Sequence, residues 1–105
     1  MNSPDKIMGT LGLCQKAGKL GSGEFMTEQS VKAGKSFLVI VATDASDGTK
    51  KNFKDMCTYY EVPYAEYGTK DSLGHALGKE VRASLSVNDE GFAKAVRKKL
   101  ETTVK

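Results

Sequence analysis

The chain has one histidine, two cysteines and no long apolar run among its 105 residues, and each scarcity removes a class of function. His75 alone cannot build a multi-histidine metal site, and with no Cys, Asp or Ser motif beside it the expected role is packing or partial exposure in a helix. Cys14 and Cys57 stand far apart among apolar neighbours, a pattern of reduced core thiols and not of paired metal ligands. No stretch approaches the roughly 18 apolar residues needed to cross a bilayer. The opening MNSPDKIMG lacks a charged segment followed by an apolar one, so a cytoplasmic chain without membrane association is expected. The stretch GKLGSG lacks the G-x-x-x-x-G-K-[ST] spacing of a phosphate-binding P-loop. Hydrolytic or transfer chemistry needs a nucleophile and a base within hydrogen-bond reach, and nothing in the sequence supplies the pair. The expectation is a noncatalytic protein with no cofactor and no metal.

What is present fits one compact domain over residues 1–105. Apolar residues make up 39% and charged residues 28%, with no repeat or low-complexity tract. The formal charge of +3 is mildly basic. Lysines flank the glycine-rich stretch (Lys16, Lys19), follow the next helix (Lys32, Lys35), cluster at Lys50, Lys51 and Lys54, and recur in KAVRKKL. A solvated surface and an anionic partner both account for that distribution.

Ser3 followed by Pro4 reads as a helix start, with Ile7, Met8, Leu11 and Cys14 at helical spacing and Gly18 as the stop. Phe25, Met26, Val31 and Ala33 suggest a second helix that begins near Ser22 or Gly23 and ends at Gly34. SFLVIVATD is a continuous apolar run, as expected of a central strand buried on both faces. Ser46 or Asp47 caps a third helix that turns Phe53, Met56, Cys57 and Tyr60 to one side, and Pro63 bars its continuation. YAEY is a short strand, Thr69 caps a fourth helix reaching to Gly78, ASLSV is another strand, and a last helix from about Glu90 to Glu101 buries Phe92, Val96 and Leu100. The alternation predicts an α/β three-layer α/β/α sandwich around a small mixed sheet of about four strands, with function in the loops at one sheet edge.

AGKLGSGE, residues 17–24, packs three glycines and a lysine ahead of the second helix. Glycine suits a simple connector and a ligand-facing loop equally. A helix starting there aims free backbone N–H groups and its positive dipole end at the loop, which favours phosphate.

AGKLGSGE, LVIVATDAS, VPY, LGHALGK and VRASLSV, taken in that order, resemble the kink-turn-binding ribosomal-protein superfamily, the L-seven-Ae family, over roughly residues 7–100. CTYYEVP and DEGFAK resemble its small bacterial members. The resemblance implies a noncatalytic ribonucleoprotein component that recognises kink-turn RNA, ribosomal RNA included, at a bend flanked by sheared G·A pairs. It also implies a Gly-x-Asn-Glu motif at a helix N-terminus that reads guanines, and a loop after LG-x-A-x-G that covers a flipped-out base.

Matched by motif letters, that first element falls on Gly21, Ser22, Gly23 and Glu24, with Gly23 replacing the asparagine and Glu24 left as the acceptor for guanine N–H groups. Aligned on Gly34 instead, Gly23 becomes the motif glycine, and Phe25 and Met26 occupy the polar positions. Both registers remain open in the sequence, and Glu24 equally suits dipole compensation in a first helical turn. The second element falls on residues 78–84, where Val81 and Ala83 pack on an unstacked base while Lys79 or Arg82 meets phosphate; a plain helix-to-strand connector is the alternative. Lys19 and Lys70 are further expected phosphate contacts. The rival from another class is a protein-interaction module that keeps this fold without specific RNA readout.

Overall fold

The computed structural model describes residues 5–103, which form five helices and four strands. Helix α1 (Lys6–Lys16) is capped by Asp5, whose carboxylate accepts from the N–H groups of Ile7 and Met8 at 3.0 and 3.1 Å. Asp5 therefore takes the role expected of Ser3, which lies with Pro4 outside the described residues. Strand β1 (Leu20–Ser22) leads into α2 (Glu24–Lys32), β2 (Leu38–Val41) into α3 (Asp47–Tyr60), and β3 (Tyr64–Glu66) into α4 (Lys70–Ala76). Strand β4 (Ser84–Val87) and α5 (Glu90–Thr103) complete the order. No helix among the described residues is long and apolar enough to cross a membrane.

The sheet runs β1-β4-β2-β3, with β4 antiparallel to both neighbours and β2 parallel to β3. Both central strands are buried throughout, as the apolar run of β2 requires. The register pairs Leu38 with Val87 and Ile40 with Leu85 on one face, and Val39 with Ser86 and Val41 with Ser84 on the other. Helices α1, α4 and α5 pack on the first side, and α2 and α3 on the second, giving the three-layer sandwich.

The second face explains why α2 reads poorly in the sequence. Gly21, Ser84 and Ser86 line it, so the helix lies close: a Cβ on Gly21 would come 3.4 Å from Ser30 Oγ and 3.5 Å from Met26 Cβ. Small polar residues of α2 fill this contact. Thr27 and Ser30 are buried beside Val31; Ser84 Oγ donates to Thr27 Oγ1 at 3.3 Å, and Asn88 Nδ2 donates to Ser30 Oγ at 3.0 Å. Phe25, Met26 and Ala33, whose spacing suggested the helix, are exposed.

Other expectations shift less. Leu20 to Ser22 form an edge strand where a loop was expected, because three residues with a central glycine are too few to show alternation. Helix α3 starts at the Ser46 cap, whose Oγ accepts from Thr49 N–H, and buries Phe53 and Cys57, but Tyr60 stays 40% exposed. Helix α4 ends at Ala76, two residues before Gly78, and α5 buries Val96 fully but Phe92 and Leu100 only in part. Both thiols are free and buried, and burial pushes each up to about 11, so they are neutral at physiological pH.

Candidate functional site

Four connections meet at one edge of the sheet, because β2 and β3 end there, β4 begins there, and β1, antiparallel to β4, also ends there. They are the turn from β1 into α2, residues 42–46, residues 67–69, and residues 77–83. Backbone and side-chain bonds join them. Gly23 N–H donates to Ser84 O at 2.9 Å, Arg82 N–H to Lys70 O at 3.1 Å, Lys70 N–H to Asp44 Oδ1 at 2.9 Å, and Arg82 Nε to Ser22 Oγ at 3.0 Å. Gly21, Ser22, Gly23, Glu24, Lys70, Lys79, Val81, Arg82 and Ala83 thus lie on or beside a single edge.

Helix α2 begins at this edge in an unusual way. Its cap is Gly23, at φ 92°, a backbone region that L side chains rarely adopt, and a glycine offers no capping oxygen. Thr27 N–H is the first to find an intrahelical acceptor, on Gly23 O. The N–H groups of Glu24, Phe25 and Met26 therefore point outward without a protein partner among the described residues. Gly21, by contrast, sits within β1 opposite Ser86. The glycine directly ahead of the first helical turn is Gly23, so the geometry fits the register anchored on Gly34, with Phe25 and Met26 at the polar motif positions. Phe25 is 69% exposed and Met26 47%.

The loop ahead of β4 owes its path to Gly74. A Cβ there would fall on the Glu80 carbonyl and come 3.0 Å from Val81 Cα, so the chain crosses α4 in backbone contact. Lys79 N–H fixes the crossing by donating to Gly74 O at 2.8 Å. The crossing leaves Val81 48% exposed and Lys79 exposed, while Arg82 turns back to Ser22. At the start of α4 the expected Thr69 cap forms a capping box: Thr69 Oγ1 accepts from Ser72 N–H, and Ser72 Oγ accepts from Thr69 N–H. Asp44, which anchors Lys70, is a member of this edge that carried no sequence signal beyond its place in TDAS.

Lys19 is not brought to the edge. It precedes β1, and its carbonyl accepts from Asn88 N–H at 2.8 Å, just past the end of β4. The strand rise sets it about 13 Å from Gly23 at the opposite end of β1.

Outward backbone donors, cationic Lys70, Lys79 and Arg82, and exposed apolar Val81 suit an anionic ligand with flat apolar parts. His75 lies away from the edge, in the groove between α1 and α4, and no metal-ligating cluster occurs among the described residues.

Comparison with known proteins places this architecture. The chain belongs to the Ribosomal protein L7Ae/L30e/S12e/Gadd45 family, whose profile matches residues 5–97. It is 40% identical over 83 residues to the RNA-binding protein YlxQ of Bacillus subtilis (strain 168), covering 79% of this chain and 83% of that one. A YlxQ of Enterococcus faecium, also called an RNA-binding protein, is 40% identical over 96 residues, 91% of this chain and 92% of the relative. Among solved structures, a protein of unknown function from Bacillus halodurans C superimposes with a TM-score of 0.90 at 34% identity, over 93% of this chain and 99% of the other. A Giardia lamblia 15.5kD RNA binding protein shares the fold with a TM-score of 0.77 at 22% identity, over 97% and 93% of the two chains.

Proposed function

We propose that the protein is a noncatalytic RNA-binding protein of the cytoplasm that holds a sharply bent RNA of the kink-turn type, ribosomal RNA included, against the sheet edge described above. The observation that carries this reading is the convergence of the uncapped start of α2 with the Arg82-bearing loop, joined by the bond from Arg82 Nε to Ser22 Oγ. Phosphate oxygens take up the N–H groups of Glu24, Phe25 and Met26 and the charges of Lys70, Lys79 and Arg82, while Val81 and Ala83 pack on an unstacked base. With Gly23 as the cap, Glu24 is the first residue of the helix, and its carboxylate complements the helix dipole. Bend geometry and phosphate placement then supply the selectivity, with guanine edges left unread. The names borne by the YlxQ relatives support RNA as the ligand class.

Salt titrations of blunt-ended kink-turn RNA test the assignment of contacts. Lys79→Ala and Arg82→Ala each lower the slope of log affinity against log salt by about 0.7–0.9, the loss of one phosphate contact. Lys19→Ala leaves that slope unchanged, since its backbone lies at the other end of β1. Exposed Phe25 and Met26 favour a second reading, a protein-interaction module. Under that reading complexes formed in cell extract survive ribonuclease, whereas under the RNA reading they fall apart.

A further inference from the structure

Resting on the reading just given, we propose that the outer flank of α2 is a track for a single strand of RNA that continues from the bent duplex. A groove of about 640 Å³ runs beside this helix and is lined by Phe25, Met26, Gln29, Ala33, Lys35 and Asn88 among others. It begins at the sheet edge and extends roughly 13 Å, the length of α2, toward the opposite edge.

The two ends of the groove differ in character. At the first, Phe25 is largely exposed and Met26, whose Cβ lies over Gly21, is about half exposed. At the second, three hydrogen bonds draw two lysines together: Lys35 N–H donates to Ser30 O at 2.9 Å, Asn88 Nδ2 to Ser30 Oγ at 3.0 Å, and Asn88 N–H to Lys19 O at 2.8 Å. Lys19 and Lys35 are both exposed, and neither forms an ion pair among the described residues. Of the carboxylates nearby, one is paired with a cation. Glu28 is neutralised by Lys32 at 2.7 Å, while Asp89, which accepts from Phe92 N–H at 2.9 Å, keeps its charge and leaves the two lysines as the cationic excess at this end.

An apolar flank alone would suit a protein partner as well as a nucleic acid. An exposed aromatic ring at one end of the groove and two lysines without an ion pair at the other fit a strand that carries a base to stack and phosphates to neutralise, the combination that single-strand binders use. The track also gives Lys19 a role that its distance from the bent-duplex edge otherwise denies it.

Fluorescence anisotropy compares a blunt kink-turn RNA with the same RNA carrying about four unpaired uridines at its 5′ or its 3′ end. For the wild-type protein one of the two extensions tightens binding about tenfold, the scale of one stacked base. In Phe25→Ala, and in the double variant Lys19→Ala/Lys35→Ala, the ratio between extended and blunt RNA falls to about twofold or less. These side chains are exposed, so folding is not at stake. The track is overturned if neither extension tightens wild-type binding, the result expected of a flank that serves a protein partner, or if the gain survives in both variants. A straight duplex in the same series isolates the underlying reading: equal affinity for blunt bent and blunt straight RNA is the failure of that reading, and the extension ratio is judged separately.

Discussion

Arg82 and Ser22 lie sixty residues apart in the chain, and the Arg82 Nε donates to the Ser22 Oγ at 3.0 Å, so the loop ahead of β4 is fastened to the strand that feeds α2. The same guanidinium donates through Nη1 to the Val81 carbonyl at 2.8 Å. These two bonds hold a long side chain in one orientation at the sheet edge. A cation fixed before binding loses less conformational freedom when it meets phosphate. Ser22→Ala therefore weakens RNA binding by about 0.5–1.5 kcal/mol, the scale of ordering one freed long side chain on binding, and separately lowers folding stability by up to the value of one hydrogen bond. Anisotropy titration beside a melting curve separates the two effects.

Gly74→Ala tests the loop crossing. The added methyl has to occupy the place of the Glu80 carbonyl, and backbone cannot step aside as a flexible side chain can. Overpacking of this kind costs about 1–3 kcal/mol of folding stability. Because the displaced segment carries Lys79, Val81 and Arg82, RNA affinity falls as well. Chemical denaturation and RNA titration of the same preparation measure both.

Gly23 and Gly21 make a contrasting pair. A Cβ on Gly23 meets no atom within 4 Å, so Gly23→Ala is opposed by its backbone conformation alone, φ 92° with ψ 161°, and costs about 1–3 kcal/mol. At Gly21 the backbone is ordinary strand and the contacts are 3.4 and 3.5 Å, so Gly21→Ala is the milder change. A larger fall in the denaturation midpoint for Gly21→Ala than for Gly23→Ala would contradict this account of the helix start.

The extent to which the sequence foretells this molecule depends on how each segment is buried. LVIV announces a central strand because both faces are covered, and LGHALGK marks the loop crossing through a glycine that backbone contact demands. Helix α2 is obscured because it packs by Thr27 and Ser30 on a face of Gly21, Ser84 and Ser86, which inverts the usual rule that the apolar stripe points inward. For the same reason β1 reads as a glycine loop, and Lys19, adjacent to the motif in the chain, lies a strand's length away in space. The bond between Arg82 and Ser22 joins distant segments and leaves no local trace.

The thiols give a pH-dependent prediction. Burial raises Cys14 and Cys57 from 9.0 to about 11, so the folded protein favours their neutral forms over the unfolded chain. Their stabilising contribution is complete below pH 9 and is lost as the pH rises toward about 11. Denaturation midpoints fall across that window, and a Cys14→Ala/Cys57→Ala double variant shows a shallower fall. At pH 8 alkylation of the native protein is slow and becomes rapid on unfolding.

The central claim is that the edge formed by α2 and the Arg82 loop selects a bent RNA. Its most direct test is a competition titration, at fixed salt, between a blunt kink-turn RNA and a straight duplex of equal length and composition. The account predicts that the kink-turn displaces the straight duplex with at least about a tenfold advantage, equivalent to about 1.4 kcal/mol, and that absolute affinity for both falls as salt rises. Equal affinity for the two RNAs contradicts it.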